Sequence, residues 1–430
     1  MAGYGTVRIL GAWLRRKDGG GDGAPVAAPG ESRAPGSGAD AGPPAALGGD
    51  ARSRRRWRRR HTLVLLVVLL VVAVGVASEV QLPYYAVTPG QAIPVESLLG
   101  LPAGRLHRHP GEVMMVDVYL TPLRAIDYPW FALQSSAAIL PAPEVLGPAN
   151  AHQYQVEGEL DMLDAQQAAT VVALREVGYT VPYVPAGTLL YLVTSGSPAA
   201  QGLHTGDVVV ALDGRPTTGP SALEAAIQRR RPGDPVRLTV LAYPGLRRTT
   251  VSLRLGEYHT EGPSSPLGYA CLALGARTRA PVTEGRDGRP IPCLGVEVEP
   301  YYRLGRLPFP VRLDAEGIVG PSAGLAFTLG LIDALDPASL TGGLRVAATG
   351  TMSLDGSVGA VGGVAQKTVA VSDAGASVFL VPPEEYRTAV AHAGPHLRVF
   401  AVSSIGQAIA VLERLGGRLV RVPPARRPGP

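Results

Sequence analysis

Gly320-Pro321-Ser322-Ala323-Gly324 and, forty-five residues further on, Gly362-Gly363-Val364-Ala365-Gln366-Lys367 are the two stretches on which the reading of this chain turns. Small residues and a proline bracket the serine, so a substrate backbone can come close to it. Lys367 is one of two lysines set against thirty-eight arginines, the other being Lys17 near the N terminus. A guanidinium stays charged in proteins, whereas a lysine amine loses its proton when desolvated, so only lysine can serve as a general base. A serine nucleophile worked by a lysine base is the leading chemistry.

The surroundings of both residues fit that chemistry. A helix is predicted from Ser322 to about Leu335, with Leu325, Leu329 and Ile332 on one face and Asp336-Pro337 ending it. Ser322 then sits in the first turn, where unpaired N–H groups and the helix dipole suit an oxyanion. The strand Leu344 to Gly350 leads through Asp355-Gly356 to a second predicted helix, Val364 to Ala374, closed by Gly375. Lys367 near the start of that helix, among apolar neighbours, is expected to have a pKa lowered from about 10.4 towards neutrality.

Charge and hydropathy organise the rest of the chain. The net charge is +5 over 430 residues, but residues 1–61 hold twelve Lys+Arg and five Asp+Glu, leaving 28 against 30, or −2, beyond His61. The folded part is therefore not basic, and nucleic acid is not an expected partner. Residues 18–50 are rich in Gly, Ala and Pro and are read as disordered, within a cytoplasmic Arg-rich tail over 1–61. Seven arginines around Trp57 precede an uncharged apolar run, Thr62 to Ser78, which spans about 25 Å as a helix. The positive-inside rule makes 62–78 a transmembrane helix with all later residues extracytoplasmic, Trp57 and Tyr84-Tyr85 flanking it. A cleavable leader ending near Gly75-Val76-Ala77 is the competing reading. Cys271 and Cys293 can form a disulfide outside the cytosol or remain two buried thiols, and a zinc site is not expected.

Residues 79–180 show short apolar alternations such as Val113 to Leu120, then a helical pattern from about Leu160 to Val177 with Leu163, Ala169, Val172, Ala173 and Val177 on one face. They read as a separate juxtamembrane α/β unit without catalytic residues. From 181 to 256 short strands alternate with Gly and Pro. The run Gly196-Ser197-Pro198-Ala199-Ala200-Gln201-Gly202-Leu203, followed by Gly206-Asp207 and a strand ending at Asp213-Gly214, resembles the PDZ family as found in bacterial proteases. Ser221 to Arg229 would be its second helix, with Pro235 to Ala242 and Arg248 to Leu255 its closing strands. The resemblance implies capture of an extended peptide or free C terminus by strand addition, with Pro185-Ala186-Gly187-Thr188 as a candidate carboxylate-binding turn. A PDZ fold serving only as spacer or gate is the alternative.

Residues 267–417 read as one α+β domain, Leu294 to Val298 and Pro310 to Leu313 being strand signals, with 418–430 a flexible tail. The Gly-Pro-Ser-Ala-Gly segment at 320–324, Ala348-Thr349-Gly350, Leu354-Asp355-Gly356 and the segment ending in Lys367 resemble the proteolytic domain of the Lon family. The resemblance implies Ser322 as nucleophile, Lys367 as general base and Thr349 as a supporting hydroxyl. Val319 stands where that family often has an acidic residue. The whole order resembles bacterial membrane-anchored PDZ/Lon-like proteases: an α+β multidomain serine endopeptidase with no cofactor or metal and a tendency to form homo-oligomers. The chain contains no G-x-x-x-x-G-K-[ST] phosphate loop, so ATP-driven unfolding is not expected. Two other classes compete. One is a PDZ adaptor with an inactive protease domain. The other is an esterase using G-x-S-x-G, with Asp355 or Asp373 and His392 or His396 completing a triad.

Overall fold

The computed structural model describes residues 7–9, 51–147, 149, 151–260, 269–272, 285, 288–315 and 317–420. The expected disordered stretch 18–50 and nearly all of the expected C-terminal tail lie outside the described residues.

In chain order the elements used below begin with β1 (Val7–Ile9), α1 (Ala51–Glu79), β2 (Gln81–Pro94), β3 (Glu112–Arg124), α2 (Tyr128–Ala132), β4 (Ala138–Pro141) and α3 (Ala151–Glu176). Then come β5 (Tyr183–Val193), β6 (Val208–Leu212), α4 (Pro220–Gln228), β7 (Pro235–Ala242), β8 (Arg247–Arg254) and β9 (Val296–Leu304). The last are α5 (Gly324–Leu335), β10 (Arg345–Ala348), α6 (Val364–Asp373), β11 (Val378–Val381), β12 (Arg398–Ala401) and α7 (Ile405–Arg414).

One sheet runs β12-β11-β10-β3-β2-β4, with β1 against β3. Pairing is parallel from β12 to β3 and antiparallel beyond. Parallel strands bury both faces, and β3 shows it: Val113 to Val118 are all buried. Val113 and Met115 enter the core that holds α5 and the second half of α3, while Met114 and Val116 enter the one under α6. The helix α5 is buried along its whole length instead of on one face, because sheet, α3 and α7 enclose it.

This pairing corrects the expected separation of residues 79–180 from the catalytic segment. β3 is the central strand of that segment's sheet, in register with β10, Met115 opposite Ala348. Nothing in the local pattern reports a partner 230 residues away, so the two read as separate units. α3 also starts nine residues earlier than the periodicity suggests, and Leu163 is 47% exposed, off the buried face. Small side chains from Ala165 to Ala173 let α3 lie close against the core. β1 pairs with Val118–Leu120, so the N-terminal 61 residues are not structureless throughout.

The second sheet runs β8-β7-β6-β5-β9, with α4 across it and its own apolar core around Leu190, Leu212, Leu238 and Leu255. Two expectations change here. Pro185 to Thr188 lie inside β5, paired with Pro300, Tyr301 and Tyr302 of β9, and form no turn. Leu294 to Val298, read as the start of the last domain, instead lead into β9 at the edge of this sheet. Gly256–Thr260, Tyr269–Leu272 and Pro292–Cys293 make a small third sheet.

Candidate active site

The nucleophile segment is shaped by its glycines. Gly320 has φ +95°, a left-handed conformation that costs a side-chain-bearing residue strain, and turns the chain into the short 3-10 turn Pro321–Ala323 ahead of α5. A Cβ at Gly324 would come within 2.7 Å of the Met352 nitrogen, so only glycine lets α5 begin so close to the following strand. Ser322 therefore precedes the regular helix by two residues instead of lying within it. Its carbonyl accepts hydrogen bonds from Gly350 N–H at 2.9 Å and the Thr349 hydroxyl at 3.3 Å.

The sheet brings Lys367 to Ser322. β10 ends at Ala348, and Thr349 follows at the sheet's C-terminal edge, its N–H bonded to Leu380 O. α6 starts after Gly363, itself left-handed at φ +69°, and directs its fourth residue inward. Lys367 Nζ lies 2.7 Å from Ser322 Oγ and 3.3 Å from Thr349 Oγ1. All three residues are buried, Lys367 and Thr349 completely and Ser322 to within 1%. Burial pushes the Lys367 amine from 10.5 down to about 7, partly opposed by the carboxylates of Asp117 and Glu385. A neutral amine in hydrogen-bond contact with a serine hydroxyl can accept its proton.

Two carboxylates in this site were not singled out from sequence. Asp117 is a fully buried charge in the middle of apolar β3, and that interruption was the available signal. It accepts a hydrogen bond from Gln91 N–H, and a Cβ at Gly90 would sit 2.0 Å from its Oδ1. Glu385 is buried under the glycine segment, accepts from Val361 N–H at 3.1 Å, and has its pKa raised mainly by burial. Val319 is buried and packs against Gly158 of α3, whose carbonyl accepts Gly320 N–H at 2.7 Å. One end of α3 thus rests on the nucleophile loop.

The esterase constellation is not assembled. His392 is exposed and bonds the Thr388 carbonyl of its own helix, His396 is exposed, and Asp355 turns to Ser357. The described residues hold no cluster of three or more His, Cys, Asp or Glu side chains arranged for a metal.

A second recess, of about 270 Å³, lies between α4 and the start of β9. Pro220, Leu223 and Ile227 line one wall and Leu294, Gly295 and Val296 the other. Gly295 is left-handed at φ +80°, and a Cβ there would meet Ser197 at 2.2 Å. The Cys271–Cys293 disulfide forms and borders the recess. β9 pairs with β5 on one edge only, so among the described residues its outer backbone edge faces this space without a strand partner. α3 links the two regions: Gln153 donates to Val193 O, and Tyr243 OH donates to Glu159.

Comparison with known proteins finds two families, with bounds that differ from the structural lobes: the PDZ match starts within α3 and ends before β9. A PDZ domain family model matches residues 165–253, and the model of the Lon protease (S16) C-terminal proteolytic domain matches residues 315–411. No curated protein matches. Among solved structures, the PDZ domain of an SdrC-like protein from Listeria monocytogenes is 18% identical, with 26% of this chain and 87% of that one covered at TM-score 0.18. Its Listeria innocua counterpart is 19% identical over 26% and 92% at TM-score 0.18. A solution structure from Geobacillus thermodenitrificans is 25% identical over 20% and 91% at TM-score 0.16. The domain assignments rest on the family models.

Proposed function

We propose that this PDZ-containing, Lon-like chain is an ATP-independent serine endopeptidase in which Ser322 attacks a peptide carbonyl and Lys367 moves the proton. The observation that carries the reading is the 2.7 Å contact between a fully buried lysine amine and the Ser322 hydroxyl. The neutral amine takes the hydroxyl proton as the Oγ–carbon bond forms, then returns it to the leaving amine as the peptide C–N bond breaks. Water, deprotonated by the same amine, then attacks the acyl carbon, and the proton passes to Ser322 Oγ as the Oγ–acyl bond breaks. Oxyanion donors would have to come from the Ser322–Ala323 turn ahead of α5, because the Gly324 and Leu325 N–H groups already bond Pro321 O and Gly350 O. Thr349 holds the amine on the line towards Ser322.

Ser322 is closed off, so substrate entry requires the nucleophile loop to move against α3. The recess along β9 is the proposed peptide site: an extended segment adds to the free edge while its side chains enter the apolar space. Because α3 touches both the nucleophile loop and the β5–β9 sheet, occupancy of the recess can be passed to Ser322.

The reading includes a single membrane crossing by residues 62–78. His61–Glu79 is a helical stretch of mean hydropathy 2.6 in which no residue is buried in the protein. A cytoplasmic N terminus and pairing of β1 with β3 exclude each other. Three paired residues contribute roughly 1 to 3 kcal/mol at most. Lipid burial of the Thr62–Ser78 run contributes on the order of 5 kcal/mol or more, so on this reading the β1 pairing would be given up when the helix enters a bilayer. A cysteine replacing the exposed Thr250 should react with a membrane-impermeant maleimide on intact cells, and one replacing Ser32 should not. Labelling of both would remove the single crossing.

The activity is tested by comparing extracytoplasmic protein fragments, by mass spectrometry, between cells carrying the intact chain and cells carrying Ser322→Ala. Fragments that vanish in the variant are expected. Identical profiles with the variant present and folded would refute proteolysis.

A further inference from the structure

Among the described residues, the most exposed apolar side chains outside α1 sit beside the end of that helix. α2 and its flanks present Trp130, 67% exposed, and Leu133, 85% exposed, together with Ile126 and Tyr128. Tyr84 on β2 stands edge-on to Tyr128, ring centroids 6.4 Å apart, and extends the patch. From Tyr128 to Pro143 the chain carries no charged side chain. A soluble surface rarely leaves a tryptophan and a leucine this bare side by side.

The position of the patch identifies its occupant. Ala125 N–H donates to Val80 O, Ile126 N–H to Ala77 O, and the Arg124 guanidinium to Ser78 O. These bonds hold the 124–133 segment against the last turn of α1, and β2 leaves the helix at Gln81. Twenty residues of helix separate Ala77 from Trp57, about 30 Å, which is the hydrocarbon thickness of a bilayer. Trp130 therefore stands near one end of the apolar helix and Trp57 at the other, where amphipathic rings settle at the headgroup level.

We infer that the Ile126–Leu133 segment is a second membrane contact, seated in the outer leaflet interface of a phospholipid bilayer and fixing how the catalytic sheet is held over the membrane. The inference rests on the single crossing proposed above. A lone helix leaves the domain free to swing about Val80, whereas helix and patch together define an orientation. β4, the edge strand packed under α2, then faces the membrane, and the opposite edge at β12 is turned away from it.

Tryptophan quenching tests this in the full chain reconstituted into phosphatidylcholine vesicles with acyl chains brominated near the headgroup. Sequence places tryptophan at 13, 57 and 130 alone. One variant keeps Trp130 (Trp13→Phe, Trp57→Phe) and another keeps Trp57 (Trp13→Phe, Trp130→Phe). Both emissions should be blue-shifted relative to exposed indole and quenched to a similar extent by the brominated lipid. Quenching of Trp57 with water-like, unquenched Trp130 would overturn the membrane contact, leaving the anchor intact and a protein as the covering partner. Absence of quenching in both variants would overturn the anchor and the patch together.

Discussion

Lys367 is fully buried, and burial brings its pKa from 10.5 to about 7. The base must be neutral to act, so kcat/KM for peptide hydrolysis should rise with pH through about 7 and level off above it. Asp117 favours the ammonium, and Asp117→Asn should move that limb to lower pH. An unmoved limb would exclude Asp117 from tuning the base. The same shift has a stability consequence. At pH 8 an unfolded lysine is protonated and the folded one is not, so the unfolded state binds more protons and stability rises with pH between about 7 and 10.5. Keeping the amine neutral costs roughly 3 kcal/mol at pH 8. Lys367→Met should therefore abolish activity yet raise Tm at pH 8, the gain shrinking as pH approaches 10.5. A Tm difference that ignores pH would mean the lysine is not shifted. Ser322 and Lys367 were singled out in the sequence by their glycine-rich segments and by the scarcity of lysine, and Thr349 only by the resemblance to the Lon family. Asp117 was not, since its proximity to Lys367 depends on how β3 and α6 stack.

At the scale of elements, the peptide recess depends on a strand that follows the PDZ-matched segment in sequence. Cys271 and Cys293 are 22 residues apart and join two strands of the small sheet beside it. Replacing both with serine should cost roughly 3 kcal/mol of stability in that lobe, read by denaturant unfolding under non-reducing conditions. Peptide affinity should fall with it if the disulfide holds the Leu294–Val296 wall. α3 offers a second test. A Cβ at Gly158 would already be 3.1 Å from Val319, and the branched side chain of Gly158→Val would press on the nucleophile loop. Activity should drop about tenfold or more, against a tenfold per 1.4 kcal/mol scale, while PDZ peptide binding holds. Equal losses in both would point to general unfolding of α3. Helix α5 was readable within a few residues from its apolar periodicity and Asp-Pro stop, α6 from its flanking glycines, and α4 from the PDZ resemblance. The carboxylate-binding turn was misplaced at Pro185–Thr188, because a Pro-Ala-Gly run reads locally as a turn and only pairing with β9 makes it a strand.

For the whole molecule, the catalytic sheet is not contained in the Lon-matched residues 315–411. Its central strand β3 and neighbour β2 come from before the PDZ domain, which is inserted between them and the nucleophile. A chain beginning at residue 80 should fold cooperatively, its helical circular dichroism reduced only by the loss of the 29-residue α1. One beginning at residue 181 should fail to fold its catalytic part, because β10 would lose its partner on one side and α5 the covering face of α3. A stable, native-like 181–430 fragment would refute this account of the sheet.

Residue types and their order along the chain were enough to identify a serine beside small residues, one lysine in an apolar helix, a PDZ-like lobe and an apolar N-terminal helix, since each is a local pattern of chemistry or periodicity. The 2.7 Å contact of that pair, the strands completing each sheet and the carboxylates beside the base were decided only in three dimensions. Strand pairing and burial depend on segments hundreds of residues apart, and no local window of sequence carries that energy.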